Sequence, residues 1–303
     1  MLHDILTLPE YGFLRTAFLL SAAASVTFGL IGALVVVRRI GYLAGAISHC
    51  AFGGIGVGLW LKQTILAGGC GCGALAALIA GKENTPKLLA QISDRINPVA
   101  VAGLVALFSA ALIAAIQKRA REREDALIGI LWSLGMAIGL LFLDRTTGYV
   151  SISGWLFGDI MLISADDLRL VTALSASVCL IGLVFFKRFE AVCFDAEFAR
   201  LRGVNADRYH LFLLLLTAVS VVLMLRVVGM VLVIALLTIP ASAASRLTQR
   251  LGPMILWSIL FCFAGSWIGI GLSFRFNFST GPMIIVVVAV IYFLTVLFTR
   301  KRS

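Results

Sequence analysis

The sequence predicts an all-α, polytopic membrane protein of about nine transmembrane helices, and three observations predict it. The 303 residues are 61% hydrophobic and only 13% charged, against roughly half and about a quarter in a soluble domain. Mean hydropathy is +1.05. Apolar stretches fall at about 13–37, 42–61, 98–116, 126–143, 170–186, 210–225, 227–245, 253–273 and 282–299. Each is close to the ~20 residues that cross a bilayer as a helix.

The first stretch follows an N-terminus holding His3, Asp4 and Glu10. That lacks the basic region and small-residue cleavage site of a signal peptide, so the first stretch is expected to remain as an anchor. Arg38 and Arg39 end it. The second begins at once and reads GYLAGAISHCAFGGIGVG from Gly41. His49 sits inside it, and an ionisable group at membrane depth is costly unless it faces a partner or a pathway. Gly41/Gly45 and Gly54/Gly58 are spaced i,i+4, which lets a neighbouring helix approach closely.

Residues 62–96 break the pattern with a Gly-Cys run and the polar piece KENTPKLLAQISDR. If the weaker apolar piece 64–81 spans, there are ten spans and the upstream half inverts; eight is the lower alternative. Gly81-Lys82 is followed by Glu83, so no phosphate-cradling loop of the G-x-x-x-x-G-K-[ST] type is formed. Cys70 and Cys72 are separated by one residue, unlike the C-x-x-C of common zinc and redox sites. The other four cysteines read as small buried hydrophobes.

Downstream, the basic residues set orientation. Lys118, Arg119, Arg121 and Arg123, then Lys187, Arg188, Arg200, Arg202 and Arg208, then Arg246 and Arg250, then Arg300, Lys301 and Arg302 recur every two spans. These breaks hold fourteen cations; those between hold four: Arg145, Arg169, Arg226 and Arg275. The positive-inside rule makes the rich side cytoplasmic. The same rule explains the net charge of +10 without nucleic acid, for which no soluble basic domain exists.

Gly135/Gly139 and Gly265/Gly269 repeat the i,i+4 spacing of small residues, the signature of helix packing. Pro240, late in the span 227–245, predicts a kink or a broken helix. The cytoplasmic break KRFEAVCFDAEFARLRGVNADRYH predicts a short helix. Asp195 caps it and Gly203 ends it in the left-handed conformation. Phe198 and Leu201 share one face, with Glu197, Arg200 and Arg202 elsewhere. A partner can push against such a helix. His210 lies at a membrane boundary and reads as structural.

Five pieces, in order, resemble the transmembrane permease of bacterial ATP-binding-cassette importers for zinc, manganese and iron, the ABC-3 type metal permease with a type II-like fold. They are RRIGYLAGAISHCAFGGIGVG from Arg38, DALIGILWSLGMAIGLLFL from Asp125, WLFGDIMLISADDL from Trp155, FDAEFARLRGV from Phe194 and VVGMVLVIALLTIPASAA from Val227. The resemblance implies one transmembrane permease domain over 1–303, in the bacterial cytoplasmic (inner) membrane among lipid. It implies a second permease copy in a dimer, a cytoplasmic ABC ATPase and an extracytoplasmic metal-binding protein. No covalent chemistry and no permanently bound cofactor are implied; a divalent metal is the substrate. His49 matches the family's transit ligand. Asp195, Glu197, Phe198, Arg200, Leu201 and Gly203 match its ATPase-coupling helix, within 187–209.

Two departures follow. Many members carry Asp where this chain has Gly45, so a second ligand must come from another helix or subunit. Imidazole suits zinc better than manganese, which favours zinc. Residues 62–96 read as an insertion, which favours nine spans. The competing readings are a permease for iron chelates such as siderophores or haem, which needs a wide cavity and no histidine, and an ion-coupled secondary carrier. A carrier needs carboxylates deep in its spans, whereas Asp125, Asp144, Asp159, Asp166 and Asp167 fall at edges or in loops.

Overall fold

A computed structural model of the chain describes residues 12–66, 93, 97–119, 124–146, 152–158 and 164–299. The described residues hold helices and turns and no strand. In order the helices are α1 (Gly12–Val37), α2 (Gly41–Leu66), α3 (Pro98–Arg119), α4 (Glu124–Asp144), α5 (Ile152–Phe157) and α6 (Ala165–Val184). There follow α7 (Phe186–Phe194), α8 (Ala196–Leu201), α9 (Ala206–Val228), α10 (Met230–Leu247), α11 (Leu251–Phe276) and α12 (Thr280–Thr299).

Each of the nine apolar stretches coincides with one of these helices. Eight are long and apolar enough to cross a membrane. The ninth, α4, contributes the shorter apolar run Ile128–Asp144. The piece 67–92, with Cys70 and Cys72, lies outside the described residues apart from the neighbouring Ser93, whose hydroxyl donates to the Lys62 carbonyl at 3.2 Å. Pro240 does not break α10: the helix runs through it from Met230 to Leu247.

The chain forms two compact units, Met1–Ala44 with Ile152–Ser303, and Gly45–Ser151. In the first, α1 packs against α6, α10 and α11, and α12 covers α10 and α11. Leu20, Phe28, Ile31 and Leu34 of α1 are buried in this core. Small residues bring the helices together: a Cβ on Gly32 would collide with the Leu237 carbonyl oxygen, and one on Gly29 with the Ile259 backbone. The Thr27 hydroxyl donates to Ser175 Oγ at 2.9 Å, and Ser175 donates to the Ala23 carbonyl at 2.7 Å. These bonds satisfy polar groups between two apolar helices, where they would otherwise be costly.

Two glycines make the sharp junction between α9 and α10. Gly229 has φ +84° and Gly158, after α5, has φ +69°. A Cβ on either would collide with backbone at the other. The same end carries a capping box in which the Ser164 side chain accepts from the Asp167 N–H. Asp167 also meets Arg226 at 3.3 Å.

The second unit is built on α2. Its Gly54 and Gly58 lie against Ala102 and Pro98 of α3, and its Gly53 and Gly56 against the backbone of Gly135 and Gly139 of α4. Two glycine faces on one helix therefore serve two neighbours. Trp60 and Phe142, with ring centroids 5.0 Å apart, extend the α2–α4 contact.

Candidate functional site

His49 stands in the close α2–α4 contact. Gly135 is what allows it: a Cβ there would fall 2.6 Å from the His49 carbonyl oxygen. Small residues on both helices let the backbones approach in this way. The imidazole lies against the indole of Trp132, with ring centroids 4.4 Å apart and planes 30° apart. The residue is 7% exposed. Its Nδ1 is buried and finds no hydrogen-bond partner among the described residues. A buried polar nitrogen in that condition is uncommon and calls for a role.

The neighbourhood supplies little else that ligates. Cys50 turns to α4, where its thiol donates to the Leu131 carbonyl at 3.5 Å. Among the described residues no group of three or more His, Cys, Asp or Glu side chains comes together to hold an ion. Gly45, one turn before His49, leaves its place to Trp132, whose ring carbon Cζ3 is 2.6 Å from where a Cβ would sit. Within the first unit, the notional Cβ of Gly41 meets the Thr238 methyl at 3.4 Å.

Trp132 was not among the residues singled out from sequence. Its signal is a spacing: Trp132, Gly135 and Gly139 at i, i+3 and i+7 share one face of α4. The two glycines on that face carry the spacing of helix packing, and the aromatic residue ahead of them belongs with them.

The second candidate region is the break after α6. Asp195 accepts from the N–H groups of Glu197 and Phe198 at 3.0 and 2.9 Å and so caps α8. At the other end Gly203 adopts φ +79°, and the Val204 N–H donates to the Ala199 carbonyl at 3.0 Å. Ala199 is buried with Val192 and Ala206. The opposite side is bare: Phe198 is 49% and Leu201 87% exposed. The Arg202 guanidinium covers part of the Phe198 ring at 4.9 Å. Arg200 pairs with Asp207 at 2.6 Å, and Glu197 is exposed. A capped turn of helix thus presents two large apolar side chains outward.

This region is tied to the α1–α2 turn. Arg38 donates to the Val192 carbonyl at 3.1 Å and contacts His210 Nδ1 at 3.5 Å. Beneath it Phe189 stacks on Phe212, with centroids 5.9 Å apart and planes 3° apart. Burial pushes the Cys193 thiol up to about 12, the nearby Arg38 charge opposing this only in part.

The family model of the ABC 3 transport family matches residues 10–84 and 89–299. The chain belongs to that family. Its membership accords with the resemblance carried by the five sequence pieces. As a member of the ABC 3 transport family it is a multi-pass membrane subunit of a transporter, not an enzyme, and ATP hydrolysis belongs to a separate subunit. Among its relatives is a "Probable metal transport system membrane protein" of Chlamydia trachomatis, 29% identical, the match covering 95% of this chain and 89% of the relative. Another is a manganese transport system membrane protein of Listeria innocua, 26% identical over 98% of this chain and 94% of the relative. A chain of PsaBC from Streptococcus pneumoniae, solved in complex with Fab, shares the fold with a TM-score of 0.76. It is 22% identical, covering 97% of this chain and 93% of that one.

Proposed function

We propose that the chain is the permease of an ATP-driven importer of a divalent metal ion, with zinc favoured over manganese and iron. One observation carries this: a buried histidine with an unpartnered ring nitrogen, set in a glycine-packed helix contact of an ABC 3 family membrane subunit. The ion is cargo and not a resident cofactor. His49 acts as a transit ligand, and a second ligand is supplied by the incoming ion's water or by a second copy of the chain. Neutral imidazole binds zinc well, whereas manganese prefers carboxylates, and among the described residues no acidic side chain joins His49 in a group of three or more possible ligands. The relatives' names support a metal cargo.

The energy enters through α8. The ATPase seats against Phe198 and Leu201, with Asp195 and Gly203 holding the helix rigid and Glu197 and Arg200 at its rim. An extracytoplasmic metal-binding protein delivers the ion, and two permease copies in lipid form the conduit. The chelate-permease alternative is not favoured, because nothing about His49 serves a bulky organic ligand. The test is His49→Ala in the complete transporter: metal uptake is abolished while the ATPase still co-purifies with the permease. Uptake at the wild-type rate would remove His49 from the mechanism.

A further inference from the structure

The indole of Trp132 occupies the place where a second ligand from His49's own helix would stand. Residue 45 lies one turn before His49, on the same face. A side chain there would point along the imidazole, the i,i+4 arrangement in which two residues of one helix hold one ion. Here that space is full. Trp132 Cζ3 and Cη2 lie 2.6 and 3.0 Å from a notional Gly45 Cβ. The shorter of these is a distance that real Cβ atoms essentially never show, so the indole in this position and a side chain at 45 exclude each other. The ring that fills the space also lies against the imidazole at 4.4 Å. The imidazole Nδ1 has no hydrogen-bond partner among the described residues to orient it. Gly135, one turn after Trp132, presses the same stretch of α4 onto the His49 backbone. Trp132 is thereby held against His49 on one side and remains 37% exposed.

We propose that Trp132 is a positioning and specificity-determining residue: it orients His49 and keeps the transit site free of a carboxylate, so that the passing divalent ion meets imidazole and an aromatic face. This rests on His49 being the transit ligand. An indole face attracts a cation through its quadrupole without forming a ligand bond. It gives no advantage to ions that require anionic oxygen. The arrangement therefore favours an imidazole-binding ion such as zinc over manganese.

The experiment measures uptake of radioactive zinc and manganese, each in competition with the other, by cells carrying the complete transporter. The chains compared are wild type, Trp132→Phe, Trp132→Ala/Gly45→Asp and His49→Ala. Wild type prefers zinc. Trp132→Phe keeps that preference, because a smaller ring still covers the imidazole and excludes a carboxylate. The double variant gains an i,i+4 Asp–His pair, and its zinc-to-manganese ratio falls about tenfold or more, the size of effect that residues around a metal ligand have. An unchanged ratio in the double variant, or a wild-type preference for manganese, overturns the proposal. A second readout does not depend on the double variant assembling. Cobalt(II) added to the purified wild-type transporter quenches the Trp132 emission, defined as the difference from Trp132→Phe, and His49→Ala abolishes that quenching. Absence of quenching in the wild type overturns the proposal as well. Loss of uptake in His49→Ala with an unchanged zinc-to-manganese ratio in the double variant defeats this inference alone, whereas normal uptake by His49→Ala defeats the reading beneath it.

Discussion

Gly135 lies under the carbonyl of His49: a Cβ on Gly135 would sit 2.6 Å from that oxygen and 2.7 Å from the next amide nitrogen. The contact is backbone against backbone, so no rotamer change relieves it. Gly135→Ala is predicted to force α2 and α4 apart, at about 1–3 kcal/mol, and to lower both melting temperature and metal uptake. Gly129, on the same helix, has nothing within 4 Å of its Cβ position. Gly129→Ala is predicted to leave uptake intact and to raise stability by a few tenths of a kcal/mol up to about 1 kcal/mol. Thermal unfolding in detergent, alongside whole-cell uptake, separates the pair.

The face of α8 is predicted to matter for association and not for folding. Leu201→Ser removes a side chain that is 87% exposed, so the melting temperature of the permease alone is unchanged while co-purification of the ATPase falls. Asp195→Ala acts differently. It deprives two N–H groups of their acceptor at roughly 1 kcal/mol, so α8 frays. ATPase binding then weakens together with local protection from hydrogen exchange.

The α9–α10 junction is predicted to be intolerant of any side chain. Gly229→Ala combines a positive φ with a collision against Gly158. L residues avoid that backbone region because of Cβ sterics. The variant is expected to reach the membrane in much reduced amount, measured by immunoblot of membrane fractions, whereas Gly271→Ala, which meets nothing within 4 Å, accumulates normally.

Cys193 is predicted to resist alkylation. Its thiol, raised to about 12 by burial, stays protonated at pH 8, and thiolate is the reactive species. In a variant retaining Cys193 alone, maleimide labels the protein at pH 8 only after denaturation. Rapid labelling of the folded protein would contradict the burial of α7 against α9.

The spans were legible because apolar length alone sets them. The α8 cap was equally so, since Asp195 and Gly203 state a helix's two ends in local chemistry. The use of the glycines was less so. Spacing paired Gly41 with Gly45, yet Gly41 faces Thr238 and Gly45 faces Trp132. An i,i+4 pattern gives the face of a helix and not which neighbour covers it. Pro240 predicted a kink or a break; the break is absent, α10 running through the proline, because buried packing on both sides of a proline can hold a helix together. Trp132 was missed because its partner, His49, is 83 residues away in sequence, and no local rule joins them.

The central claim is that this subunit passes a divalent ion through His49 on energy received from another chain. The most direct measurement is zinc accumulation in liposomes holding the permease with its ATPase, with the delivery protein and zinc outside and ATP within. The account predicts ATP-dependent accumulation that is absent with His49→Ala and absent when the ATPase is left out. Accumulation by the permease alone, or equal accumulation by the His49→Ala complex, would contradict it.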